Sequence, residues 1–170
     1  MQPRDRVFDP AFAKDAPLQI ALVEPEIPPN TGNVARLCAA TGCALHLIQP
    51  LGFSIDDREL KRAGLDYWQH LQIAVHASLD AFLDATSAVR RWYISKRATR
   101  IYTKADFARG DVLIFGKETQ GLPDHLLARE PERCLRIPMR LDSVRSLNLS
   151  TAVGIVTYAA LAQIGFPNLQ

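Results

Sequence analysis

Cysteine is scarce in this chain, and the three present, Cys38, Cys43 and Cys134, are odd in number and lack the spacing of metal ligands. That argues against a disulfide framework and against a thiolate metal site, and it fits a reducing compartment such as the cytoplasm. Several common catalytic motifs are missing too. No G-x-G-x-x-G follows the first apolar run, so an ordinary dinucleotide-binding domain is unsupported, and there is no P-loop. His46, His70, His76 and His125 show no H-E-x-x-H spacing, and no G-x-S-x-G elbow occurs. The most extensive absence is of charge: no side chain from Ser146 to Gln170 carries one.

What is present is ordinary in amount and uneven in placement. A chain of 170 residues is long enough for one domain with a real core. Hydrophobic content of 48%, charged content of 22% and a net charge of +2 are those of a globular protein and say nothing about partners. Residues 1–17 are polar, have no apolar stretch of signal-peptide length, and read as an extension before a single domain over 18–170. Nine basic residues crowd the middle third: Arg58, Lys61, Arg62, Arg90, Arg91, Lys96, Arg97, Arg100 and Lys104. Such a run is either a solvated face or a surface that meets phosphates.

The uncharged tail must be buried. From Val144 to Gly165, Leu147, Val153, Ile155, Val156 and Leu161 alternate with Ala152, Gly154, Ala159 and Ala160, which at helical period places apolar or small atoms on nearly every face. A helix of that kind packs on two sides. A bilayer span takes about 20 apolar residues, but Asn148, Ser150, Thr151, Thr157 and Gln163 interrupt this one and no basic flank follows it. Ser146 and Asn148 stand at its start, as caps or facing a ligand.

Read in order, Leu18 to Glu24 is a strand bounded by prolines, and Pro28 and Pro29 are expected to delay the first helix until Asn30 or Thr31 caps it, with Gly42 ending it. Ala44 to Gln49 is the next strand. Asp56 to Gly64 reads as a charged helix, Leu71 to Val75 as a strand, Ser78 to Val89 as a helix, and Trp92 to Ser95, Val112 to Phe115 and Cys134 to Ile137 as strands, with a short helix near Asp124 to Ala128. Alternation of this sort predicts an α/β fold, a parallel sheet flanked by helices. His46, inside a strand, reads as a satisfied core histidine.

Ligands of an open parallel sheet bind beyond the carboxyl ends of its strands. Three loops there carry polar groups. Glu24 to Arg36 (EPEIPPNTGNVAR) gathers Asn30, Thr31, Asn33 and Arg36 at a helix start, suited to an anion or simply to a well-capped helix. Phe115 to Pro123 (FGKETQGLP) has two glycines that permit close backbone approach, with Glu118 as an acceptor. Ile137 to Ser150 leaves a strand and enters the last helix through a polar turn.

Together, NTGNVARLC, FGKETQGLP and IPM…RSLNLSTAVGIVTY resemble the three ordered motifs of the SPOUT class of S-adenosylmethionine-dependent RNA methyltransferases. Within it, EPEIPPNTGN and KRAGLDYW are most similar to the tRNA (cytidine/uridine-34-2′-O)-methyltransferases. The resemblance spans Leu18 to Phe166. It implies a deep trefoil knot in the C-terminal part, a homodimer, a cytoplasmic location, no membrane and no metal. It also implies transfer of a methyl group from S-adenosylmethionine to the ribose 2′-hydroxyl of the wobble nucleotide of tRNA, leaving S-adenosylhomocysteine. Carried over, Ile94, Gly116, Ile137 and Ser146 line the cofactor pocket, Arg36, Asn148 and Tyr158 are the catalytic group, and Asn30, Arg58, Arg62, Arg97 and Arg100 meet the RNA. The same motifs leave room for another tRNA position, for ribosomal RNA, or for a knotted RNA-binding module without catalysis.

Overall fold

The computed structural model describes residues 13–54, 71–140 and 142–170. The helix expected over Asp56 to Gly64, the KRAGLDYW segment, and Arg58 and Arg62 lie outside the described residues. Seven strands form one sheet: β1 (Gln19–Val23), β2 (Ala44–Ile48), β3 (Ile73–His76), β4 (Arg91–Ile94), β5 (Arg100–Ile101), β6 (Val112–Phe115) and β7 (Cys134–Arg136). Their order is β3-β2-β1-β6-β4-β7-β5, and every pairing is parallel. The described helices are α1 (Pro28–Thr41), α2 (Leu79–Ala85), α3 (Asp124–Arg129) and α4 (Leu149–Gln163).

Successive strand residues point to opposite faces, and both faces are covered, which is why the strands read as continuous apolar runs. Ile20, Leu22, Leu45, Leu47, Leu113 and Phe115 pack on one face against Val34, Ala35 and Cys38 of α1 and Val153, Val156, Ala160 and Leu161 of α4. Ala21, Val23, Ile48, Tyr93, Val112 and Ile114 pack on the other against Phe82 of α2 and Leu126 of α3. Burying each large aliphatic side chain contributes roughly 1.5–3 kcal/mol, so Val153, Val156 and Leu161 alone anchor α4 firmly. Cys38, Cys43 and Cys134 are buried free thiols.

Three expectations need correcting. Pro28 and Pro29 do not delay α1; they occupy its first positions, where no backbone N–H is required, and Asn30 and Thr31 are buried within the first turn instead of capping it. The helix expected to reach Val89 stops at Ala85, while Ser78 caps it by accepting a hydrogen bond from Ala81 N–H at 3.1 Å. Helix α4 is not covered all round: Thr151, Tyr158 and Ala162 are exposed, and Gly154, Ile155 and Ala159 are only half-buried. The short strand β5 has no apolar alternation and was not expected.

Strands β4 and β5 are joined by residues 95–99 alone, yet β7 lies between them: Ile94 and Arg100 both register with Leu135. The connector therefore crosses β7, with Ser95 N–H donating to the Leu135 carbonyl at 2.9 Å and Arg136 Nε donating to the Thr99 carbonyl at 3.3 Å. A later strand has passed beneath a loop closed earlier in the chain, a departure from the rule that connections do not thread. The arrangement is that of the knotted α/β fold.

His46 is the satisfied core histidine the sequence suggested. It is fully buried; its Nδ1 lies 2.9 Å from His76 Nε2 and its Nε2 lies 2.9 Å from Gln19 Oε1. The Gln19 amide donates through Nε2 to the Gly110 carbonyl, so its oxygen is the acceptor. His46 consequently donates from Nε2 and accepts at Nδ1 from His76.

Candidate active site

Strands β1, β6, β4 and β7 are adjacent, so the loops that leave their carboxyl ends meet at one place. It is also where the strand order reverses direction, since β2 and β3 are laid down to one side of β1 and the later strands to the other. A cavity of about 460 Å³ opens there. Its wall combines Ile94 and residues 95–97 after β4, Phe115 and residues 116–121 after β6, Ile137, Met139 and residues 145–149 after β7, and Ile27, Asn30 and Ala152. Apolar side chains and polar loop residues both line it, a combination suited to a molecule with a flat apolar ring and several polar edges.

The loops are joined by one hydrogen-bonded relay. Glu118 accepts from the backbone N–H groups of Glu26 at 2.8 Å and Ile27 at 3.1 Å, and from Asn30 Nδ2 at 3.1 Å. Asn30 Oδ1 accepts in turn from Asn148 Nδ2 at 2.9 Å. Asn148 Oδ1 then caps α4, accepting from Thr151 N–H at 3.3 Å and from Ser150 Oγ at 2.7 Å. Side chains 118 positions apart in sequence are thereby held in one direction of donation. Glu26 adds a second tie by accepting from Thr119 N–H and Oγ1. Lys96 Nζ donates to the Arg145 carbonyl at 3.1 Å, linking the β4 loop to the β7 loop.

Gly116 sits where the β6 loop folds back on itself. A Cβ added there would lie 2.1 Å from the Gly121 carbonyl carbon and 2.2 Å from Leu122 N, both backbone atoms that have little room to yield. Gly116→Ala is expected to destabilise the fold by about 1–3 kcal/mol through overpacking. It should weaken binding of the cavity's ligand by about tenfold or more, the loss corresponding to about 1.4 kcal/mol. Calorimetric titration beside a thermal melt measures both; an alanine variant that binds as tightly as the parent contradicts this account of the loop.

Of the residues expected at a cofactor, Ile94, Gly116, Ile137 and Ser146 all line the cavity. Asn148 lines it as well. Asn30, expected to meet RNA, is only 5% exposed and has its amide committed to Glu118 and Asn148, so it positions other groups. Arg97 lines the cavity and donates to the Leu122 carbonyl and the Asp124 carboxylate. Arg100 is away from it, donating to the Glu132 and Lys104 carbonyls with its guanidinium over the Trp92 ring. Arg90 of the basic run is likewise structural, bonded to Asp111 at 2.9 and 2.8 Å.

Two residues of the expected catalytic group are not part of this cavity's wall. Arg36 is exposed on α1, and Tyr158 is 47% exposed on α4, where its ring lies 6.4 Å from that of Phe166. What sequence reasoning missed is the relay's connectivity, because pairing Asn30 with Asn148 requires the tertiary approach of two helix starts.

The SpoU rRNA Methylase family model matches residues 17–158. Among curated proteins, the tRNA (cytidine(34)-2'-O)-methyltransferase of Saccharophagus degradans is 49% identical over 148 residues, covering 86% of this chain and 96% of that protein. A solved structure described as giving insights into the 2-OH methylation of C/U34 on tRNA is 50% identical, with a TM-score of 0.81 over 86% of this chain and 95% of the other. An AdoMet-bound rRNA methyltransferase from Sinorhizobium meliloti is 26% identical, with a TM-score of 0.79 over 92% of this chain and 61% of the other.

Proposed function

This chain belongs to the SpoU rRNA methylase family, and on that premise we propose that it methylates the ribose 2′-hydroxyl of nucleotide 34, a cytidine or uridine, in tRNA, with S-adenosylmethionine as methyl donor. The observation that carries this reading is the cavity at the ends of β1, β6, β4 and β7, whose mouth is ordered by the Glu118–Asn30–Asn148 relay. One domain, residues 18–170, carries the activity.

The cavity fits the donor on two counts. Its apolar surface from Ile94, Phe115, Ile137 and Leu149 suits an adenine ring, and the tight turn at Gly116 leaves backbone groups bare of side chains, suited to polar edges. Ile94, Gly116, Ile137 and Ser146 are its proposed contacts. S-adenosylmethionine supplies a methyl group on a sulfonium, with a neutral thioether as leaving group. The chain's own task is to place a ribose hydroxyl in line and tolerate the charge that develops on it, and positioning of this kind supplies much of a rate. Asn148, fixed by Asn30 on one side and by the helix start on the other, is the proposed orienting group at the acceptor.

Arg36 carries a guanidinium, a cation with N–H donors and no acceptor, so its proposed contribution is a positive charge for a phosphate or for the developing alkoxide. Its exposed place on α1, and the exposed Tyr158 and Phe166 on the open side of α4, support a homodimer in which a second copy covers α4 and brings Arg36 to the site. Arg36→Ala is expected to reduce methyl transfer by about a hundredfold or more, as does loss of a charge-stabilising donor elsewhere. Donor affinity in calorimetry should stay within about twofold; parallel loss of both would contradict the assignment.

Among the described residues no helix is long and apolar enough to cross a membrane. A tRNA substrate supports a cytoplasmic location, and Arg97 in the cavity's lining is a proposed contact for the RNA. Incubation with labelled S-adenosylmethionine and total tRNA, followed by mapping of the modified ribose, tests the function. Label at nucleotide 34 supports it; label at another position, in ribosomal RNA only, or nowhere overturns it.

A further inference from the structure

A second cavity, of about 270 Å³, adjoins the first across the loop after β6, and Arg97, Lys117, Gln120 and Gly121 line both. Its far side holds Glu24, Leu122 and Asp124. Glu24 is unusual. It leaves β1 with φ of 50°, a left-handed conformation that costs an L side chain roughly 1 kcal/mol or more and persists only where the surroundings enforce it. The surroundings here are its N–H bond to the Ile48 carbonyl at 2.9 Å and a carboxylate–ammonium pair, Lys117 Nζ to Glu24 Oε2 at 2.9 Å. Both side chains of that pair remain partly accessible, at 26% and 33%.

We infer that this cavity receives the base of the nucleotide being methylated, and that Glu24 and Lys117 read its Watson–Crick edge. The inference rests on the function proposed above and names a specificity site within it. In a nucleotide the 2′-hydroxyl and the base are carried on neighbouring ribose carbons. An acceptor ribose held at the mouth of the donor cavity therefore places its base within a few bond lengths, and the adjoining cavity shares that wall. The chemistry of the pair matches a pyrimidine of either kind. Cytosine offers an N4 amino donor beside the N3 acceptor, and uracil an N3–H donor beside the O4 acceptor; a carboxylate next to an ammonium satisfies each. A single ring suits the smaller volume. Arg97, bonded to the Leu122 carbonyl and to Asp124, braces the same cavity.

The test uses the full chain with two anticodon stem-loops that differ only in having cytidine or uridine at position 34. Initial rates, donor affinity by calorimetry and thermal melting are measured for the parent, Glu24→Gln and Lys117→Met. An amide at position 24 keeps an acceptor for either pyrimidine but gives up the charge, so Glu24→Gln should lower kcat/KM on both substrates by about tenfold, as expected for weakening one paired base contact. Lys117→Met should lower kcat/KM on both by about tenfold as well. A third stem-loop without a base at position 34 should show no such loss in either variant. If both variants melt lower and lose the base-free stem-loop as steeply as the other two, the ion pair is a loop staple and the inference is overturned. Should the parent methylate the cytidine and uridine stem-loops while neither variant lowers those rates, the base-reading site alone fails. A parent that methylates neither stem-loop sinks the proposed function, and this inference with it.

Discussion

Glu118→Ala is expected to slow methyl transfer by about a hundredfold or more while raising the donor's dissociation constant by less than about tenfold, because a displacement near 1 Å at a reacting centre has effects of that size. The carboxylate of Glu118 is the acceptor for two backbone N–H groups at the start of α1 and for the Asn30 amide. Removing it leaves those donors to water or to nothing, at a cost of about 1–3 kcal/mol. The larger consequence is geometric. Asn30 loses the contact that orients it, Asn148 loses its fixed acceptor, and the group proposed to align the ribose becomes free to turn. Glu118→Gln keeps the shape and one acceptor oxygen, so it should fall between parent and alanine. Single-turnover rates on a stem-loop, read beside calorimetry with the donor alone, separate the two effects. A Glu118→Ala enzyme with a near-native transfer rate would show that the relay is structural decoration.

Acidification is the second large effect. Burial, reinforced by the neighbouring His76, pushes the His46 pKa down to about 3, and burial pushes that of His76 down to about 4. A proton added to His46 Nδ1 would face the N–H that His76 already directs at it. In the unfolded chain both rings titrate near 6.5. Above that pH both states are neutral and folding gains nothing from pH. Below it the unfolded chain binds protons that the folded chain refuses, so stability falls by up to about 1.4 kcal/mol per pH unit for each ring, until the folded values near 4 and 3 are reached. Between pH 7.5 and 5.0 the combined loss should be about 2–4 kcal/mol, a fall in melting temperature of roughly 5–15 °C for a domain of this size. Replacing both rings with glutamine should flatten that dependence even though the variant starts from a lower melting temperature. A parent protein whose melting point is level from 7.5 to 5.0 would mean the rings are not buried as neutral partners.

Much of the architecture could be read from local pattern. The runs LQIALVE, ALHLIQ and VLIF became β1, β2 and β6 because strands buried on both faces need apolar residues throughout, and such runs can form little else. His46 was legible for the same reason, a polar ring in a strand with nowhere to go but a partner. Pro28 and Pro29 misled because proline forbids a helix interior but suits its first turn, and which of the two applies depends on where the preceding strand delivers the chain. Strand β5 was invisible: two residues, Arg100 and Ile101, have no periodicity, and they are extended only because β7 supplies a partner.

The candidate site divides in the same way. Residue types in the three loops marked Gly116, Ser146 and Asn148 beforehand, since a close backbone turn and a polar helix start are written in short segments; Ile94 and Ile137 came only from the family resemblance. The basic run carried no such local mark. Arg90 and Arg97 resemble each other in sequence, yet the first is bound to buried Asp111 and the second stands at the rim of two cavities.

By itself the sequence determined the layers: which segments are strands, and that polar loops gather at one end of a parallel sheet. Hydrophobic period and chain stiffness act over a few residues and need no distant partner. Only the tertiary structure decided that β7 passes beneath residues 95–99, that Glu118, Asn30 and Asn148 form one relay, and that Glu24 and Lys117 share a second cavity. Those outcomes depend on groups far apart in the chain meeting within about 3 Å, the reach of a hydrogen bond, and no local property of either partner specifies the other.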